Sequence, residues 1–215
     1  MSYRLRAGFT LIELLIVVAI IAILAAIAIP NFLQAQVRAK VSRAMADMRT
    51  IGSALESYAV DHNNYPPNDW VHYDNPLYSY SVVPRELTTP VAYIATNRLF
   101  DPFASKLEPP EDRPGIESDA MRMYTYHRIF SHTKAHPIDL LVFPEWLDGP
   151  PPRYHENALQ KYGQWITLSL GPDGRYSMKP DGNPPNYGSD IPYDPTNGTV
   201  SFGNIIFSQH GFIRD

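Results

Sequence analysis

Few residues in this chain are of types and at spacings that do chemistry. Glu13 is the most conspicuous, the one carboxylate in AGFTLIELLIVVAIIAILAAIAIP, Ala7 to Pro30. An acid near the centre of a membrane-spanning helix costs on the order of 2.5–3.5 kcal/mol on insertion scales, so something has to offset it. Protonation is one way, since a buried carboxyl readily shifts to its neutral form. A second group is Asp173, Asp190 and Asp194, which lie in a Gly/Pro/Asn-rich C-terminal stretch. A hard cation such as calcium takes several oxygen ligands, which carboxylates and loop carbonyls supply. The same residues read equally as turns, where Asp caps backbone amides and Gly permits positive φ.

Other constellations fall away. His132 and His136 stand four apart, a spacing that lets two imidazoles share a helix face and a metal. No Glu follows His132, however, and Pro137 ends any helix there. Ser169 lacks the Gly-x-Ser-x-Gly context of a nucleophile elbow. Asn197-Gly-Thr matches a glycosylation acceptor, but Asn-Gly is first a turn signal. WLDGPPPRYHE is read as a stiffened loop rather than an aromatic ligand surface. The chain has no cysteine, which excludes disulfides, thiolate zinc sites and cysteine nucleophiles. The chain is expected not to be an enzyme.

These residues need elements to hold them. From Phe9 to Ile29 only Thr10 and Glu13 are polar, and about twenty apolar residues in a helix match the roughly 30 Å hydrocarbon core. A removable secretory signal is the alternative, with Arg4 and Arg6 as its basic region and Ala26-Ile27-Ala28 as its cleavage pattern. The stretch is long for an apolar region of roughly 7–15 residues, and an ordinary signal has no use for Glu13. Arg4 and Arg6 precede the span, while Arg38, Lys40, Arg43 and Arg49 follow it, so the positive-inside count leaves orientation open. Pro30 removes one helical bond and predicts a kink or local melting around Ala26–Pro30. Beyond it Val37, Val41, Ala44, Met48, Ile51, Leu55 and Tyr58 follow a four-three spacing, one apolar stripe to lay against a sheet. The helix is expected to run to about Val60, roughly 75–80 Å from Phe9, and DHNNYPP stops it.

Pro at 21 and Tyr at 14 describe a loop-rich head. Trp70 to Pro114 reads as loop with a helical turn in ELTTPVAYIATNRLFDPFAS. MRMYTYHRIF (Met121–Phe130) and QWITLSLGPDG (Gln164–Gly174) have the aromatic and β-branched content of antiparallel strands, with GPDG as a turn, and GTVSFGNIIFSQ (Gly198–Gln209) adds a last one. The expected fold is α+β, a long N-terminal helix on a small antiparallel sheet, in a chain of 215 residues. Its formal charge of -4 and pI near 5.9 give no reason to expect nucleic acid as a partner.

AGFTLIELLIVVAIIAILAAIAIPNF resembles the prepilin N-terminus shared by type IV pilins and the pseudopilins of type II secretion. The shared features are a short basic leader ending in glycine, then Phe-Thr-Leu-Ile-Glu and an apolar helix. The resemblance implies cleavage between Gly8 and Phe9 by a prepilin peptidase and methyltransferase, with N-methylation of Phe9. It divides the chain into a leader (1–8), a transmembrane and polymerisation helix (9–29), an amphipathic half (30–62) and a head (63–215). Methylation leaves the Phe9 amine basic and one helical turn from Glu13, so the two offset each other in lipid. The family uses this acid to register neighbouring subunits, and the resemblance gives Glu13 that role.

ALESYAVDHNNYPP, FDPFAS and SLGPDG with a later SDI resemble the major pseudopilin branch, at its helix exit, its Asp-Pro-aromatic loop and its C-terminal loop. Members bind calcium at that last loop, which implies Asp173, Asp190 and Asp194 as ligands here. Asn204 stands where related sequences tend to carry Asp. No resemblance covers Leu107–Tyr154, which is expected to be an insertion. The implied function is a structural subunit in a helical filament of identical copies, foremost a secretion pseudopilin and alternatively a type IV pilus subunit for adhesion, motility or DNA uptake. The implied partners are minor pseudopilins and an inner-membrane assembly platform, with the head outside the cytoplasm. A membrane-tethered binding or enzyme domain that borrowed a prepilin signal is the rival from another class.

Overall fold

Ala, Ile, Leu and Val dominate the segment that begins at Leu11, and in the computed structural model it forms one helix, α1, Leu11–His62, of 52 residues. The structure describes residues 10–67, 69–71, 80–104, 122–129, 159–174, 192–194 and 203–213. Gly8, Phe9, His132, His136 and Asp190 lie outside the described residues. Pro30 sits inside α1, whose helical assignment runs unbroken through it, so the helix does not melt there. Helix α1 stops where Asn63 takes a φ of 51°, the left-handed conformation that commonly ends a helix, with Pro66 and Pro67 just beyond. The chain divides into two compact units, Met1–Arg38 and Ala39–Asp215.

Six short strands follow in the second unit: β1 Asp69–Val71, β2 Tyr80–Val82, β3 Thr125–Arg128, β4 Trp165–Ser169, β5 Ile205–Ser208 and β6 Gly211–Phe212. They pair antiparallel in sequence order. The register sets Tyr126 opposite Thr167 and Thr167 opposite Phe207. Side chains alternate across a pleated strand, so Trp165, Thr167, Tyr126 and Phe207 share one face. Against it lies the buried stripe of α1, Val41, Ala44, Met48, Ile51, Gly52, Ala54 and Leu55. The opposite face is also covered. Ile166, Leu168 and Ile206 form a buried cluster there with Ile129 and Tyr162, which explains why all five β4 residues are buried.

Two expectations need correction. Trp70 to Pro114 was read as loop, yet part of it belongs to β1 and β2, strands of three residues each and too short for a period-2 pattern to register. Its helical turn is the 3-10 turn Arg85–Leu87. Leu107–Tyr154 was read as an insertion, but it supplies β3, paired with β2 on one side and β4 on the other. A strand with both edges paired belongs to the sheet's centre, so the insertion reading fails for that part.

Candidate functional site

Thr10 and Glu13 begin the apolar segment and hold one another. The Thr10 backbone N–H and hydroxyl donate to Glu13 Oε2 at 2.8 and 2.7 Å, and the Glu13 N–H donates to Thr10 Oγ1 at 3.3 Å. This reciprocal arrangement is a capping box, which satisfies donors that a helix start otherwise leaves open. It was missed from sequence although Thr-x-x-Glu is its signature. From Leu11 to Leu33 the large apolar side chains are 47–81% exposed. About 34 Å of helix at 1.5 Å per residue thus presents an apolar surface, long enough by composition to cross a membrane. Near its end Pro30 lacks the N–H that would reach the Ala26 carbonyl, and Asn31 Nδ2 donates to the Ile27 carbonyl at 3.0 Å.

In the second unit the helix is fixed to the sheet by polar bonds as well as by its stripe. The Glu56 carboxylate accepts from Trp165 Nε1 at 2.9 Å and from the Tyr65 hydroxyl at 3.0 and 2.9 Å. Gln209 Nε2 donates to the same hydroxyl at 2.7 Å. Burial first, then Glu56, pushes the Tyr65 phenol up to about 12, so it stays a protonated donor. Arg128 closes the group by donating to the Tyr65 carbonyl at 2.8 Å and to Asn64 Oδ1. Earlier on α1, Asp47 Oδ2 accepts from the Tyr124 hydroxyl at 3.0 Å.

The two head motifs singled out from sequence meet at Asp101. Its carboxylate is 3% exposed as a residue and accepts from Phe103 N at 2.9 Å and Leu170 N at 2.7 Å. Burial raises its pKa above the usual carboxylate range, although these two amides and the Ser169 side chain act to lower it. FDPFAS is thereby tied to the start of SLGPDG. The turn Gly171–Gly174 places Gly171 at φ +72°, where an added Cβ would stand 2.2 Å from the Gly203 carbonyl oxygen. Pro192 bridges Asn204, and Tyr193 N donates to the Asn204 carbonyl at 2.8 Å. Asp173 and Asp194 therefore lie on segments that converge beside Gly203 and Asn204. The donor set suits a hard cation in kind. Among the described residues no three His, Asp or Glu side chains cluster as a metal site.

Residues 3–29 match a family described as the prokaryotic N-terminal methylation motif. The chain is 53% identical over 58 residues to the type IV major pilin protein PilA of Myxococcus xanthus, covering 27% of this chain and 26% of that protein. It is 42% identical over 66 residues to the type II secretion system core protein G of Pseudomonas aeruginosa, covering 31% and 46%. With the type IV wide pilus major component PilA4 of Thermus thermophilus it shares 52% over 65 residues, 30% and 50% of the two chains. The matched segment spans a quarter to a half of these relatives. No solved structure matches. In the motif and helix of its N-terminal third the chain is similar to type IV pilins and to the core pseudopilin of type II secretion.

Proposed function

We propose that this chain is a structural subunit that polymerises through α1 into a thin helical filament, and that it serves as the major pseudopilin of a type II secretion system, whose growing filament drives protein export. The observation that carries the assembly role is an apolar helix surface, exposed along its whole length, with one acid at its start. Each copy presents the same asymmetric surface, and repeated head-to-tail contacts of one kind generate helical filaments. The pseudopilin role is supported by the head, where the Asp-Pro-aromatic loop and the C-terminal Asp/Gly loop are joined through Asp101. A type IV pilus subunit is the second reading, favoured by the 53% and 52% identities to pilus proteins over the helix.

In this reading a prepilin peptidase cuts between Gly8 and Phe9 and methylates Phe9, and the head ends outside the cytoplasm on a single span of the inner membrane. Minor pseudopilins and an assembly platform start and feed the filament. Asp173, Asp190 and Asp194 hold calcium, which supplies positive charge to order the C-terminal loop. Glu13 passes from its own Thr10 to the Phe9 amine of a neighbour. Glu13→Gln and Glu13→Ala deplete filaments while leaving membrane levels equal or higher, because the polar cost of insertion is gone. Electron microscopy of sheared filaments against immunoblots of membranes measures both, and normal filament numbers from both variants would remove the registration role. Gly8→Leu leaves an uncut chain, visible as a heavier mature mass.

A further inference from the structure

We propose that neighbouring copies of this chain meet flank to flank, with Arg49 on one side of the head set against Asp61 and the Tyr58 and Tyr93 rings on the opposite side of the next copy. The proposal rests on the filament reading and names a contact within it. All of these residues belong to the second unit, Ala39–Asp215. Arg49 and Asp61 are both exposed. The Arg49 guanidinium lies over the Phe212 ring, 5.0 Å from its centroid, and Asp61 Oδ2 accepts from the Tyr93 hydroxyl at 2.7 Å. That bond, ahead of the other causes, pushes the Tyr93 phenol up to about 12, so the hydroxyl stays neutral. Each charge is thus held in place by an uncharged group, and among the described residues neither has an ion-pair partner.

The two charges face opposite ways. At about 3.6 residues per turn and measured from Met48 in the buried stripe, Arg49 stands about 100° to one side of α1, while Tyr58 stands about 80° and Asp61 about 140° to the other. The sheet agrees with this division. Phe212, beneath Arg49, is on β6, an outer strand, whereas Tyr93 belongs to the segment bonded to Leu87 after the 3-10 turn. Half-buried apolar side chains adjoin both charges. Met45, Phe212 and Ile213 line a shallow notch beside Arg49, and the Tyr58 and His62 rings, 4.1 Å apart, lie with Tyr93 beside Asp61. A lone exposed ion pair holds little, but apolar surface around it excludes water and strengthens it. Arginine suits the far side, since its planar guanidinium both pairs with a carboxylate and stacks on tyrosine faces. A basic flank that fits the acidic, aromatic flank of the next copy, and not its own kind, makes a heterologous contact, which extends into a filament when it does not close. With α1 parallel in both copies, Asp61 is about 18 Å of helical rise beyond Arg49, which staggers each copy against its neighbour along the helix.

Charge reversal tests the contact in cells that make the full chain, by counting sheared filaments in the electron microscope against immunoblots of membrane levels. Arg49→Glu sets an acid against Asp61 of the next copy, and Asp61→Arg sets a base against its Arg49. Like charges across a contact disfavour it strongly, so each variant alone is expected to lose filaments about tenfold or more at an unchanged membrane level. Produced together in one cell, the two variants restore filaments, because the reversed charges attract each other and the untouched Asp61 of the first variant meets the untouched Arg49 of the second. The double reversal in one chain restores them as well. Recovery by the double reversal without recovery on mixing would place the pair inside a single chain and overturn the contact. Normal filament numbers from either single variant, or no recovery in either combination, would overturn it too. A wild type that yields no filaments defeats the filament reading and the contact with it, whereas wild-type filaments beside unaffected single variants defeat the contact alone.

Discussion

Thr10 and Glu13 are three residues apart in sequence and bonded in three ways in space. Thr10→Val deletes the hydroxyl that gives to Glu13 and receives from its amide, a loss of about 1 kcal/mol typical of an N-terminal cap. Exchange of the first-turn amides of α1 in detergent micelles is expected to speed up about fivefold, with the amides near Ile51 unchanged. Gly52 is the other residue with a specific task. An added Cβ there would stand 2.7 Å from Phe207 Cε1 and 2.9 Å from Trp165 Cη2, so both rings would have to move. Alanine gains about 1 kcal/mol of helix propensity over glycine, but overpacking typically costs 1–3 kcal/mol. Gly52→Ala therefore lowers the melting temperature of the detergent-solubilised chain, and an unchanged or raised value would show that the two rings yield freely. The capping box carries a local signature, Thr-x-x-Glu, and went unread from sequence all the same. The duty of Gly52 carries none, because the rings it meets come from strands more than a hundred residues away.

At the scale of elements, the apolar stripe of α1 and the segments containing β3, β4 and β5 were readable from composition, since buried helix faces and strands leave periodic marks. Strands β1, β2 and β6 were not, being two or three residues long. FDPFAS and SLGPDG stood out as separate loops, and nothing local to either indicates that Asp101 accepts the Leu170 N–H. Asp101→Asn keeps the shape but offers one acceptor oxygen for two amides, leaving an NH2 group against an N–H. The expected loss is about 1–3 kcal/mol, the cost of a buried donor without its acceptor. The variant also changes the pH response. Because the folded pKa of Asp101 is raised, folding favours its protonated form, and this group adds stability as pH falls from neutral through its folded pKa toward the unfolded value near 3.8. Urea midpoints measured from neutral to mildly acidic pH should show that contribution in the wild type and not in Asp101→Asn.

For the whole molecule, His127, buried on β3, acts on acid stability in the opposite sense, since burial lowers its pKa to about 4. Its depressed folded pKa contributes stability above the unfolded value near 6.5, progressively lost as pH falls toward 4, up to about 3 kcal/mol. His127→Leu should flatten that limb of the urea midpoint against pH, and an unchanged limb would place the acid sensitivity elsewhere. The calcium proposed for the C-terminal loop would act on the same global equilibrium by mass action. The full chain in detergent is expected to melt higher with calcium than with chelator, and Asp173→Ala to erase the difference. Equal melting temperatures would leave the C-terminal loop as turns alone. The bonds between α1 and the sheet carry one more consequence. Asp47 is tied to Tyr124 beside β3, Glu56 to Trp165 on β4, and Gly52 lies against Phe207 on β5. A push or pull along the part of α1 that lies in the second unit therefore reaches three adjacent strands in parallel, as shear shared among several attachments.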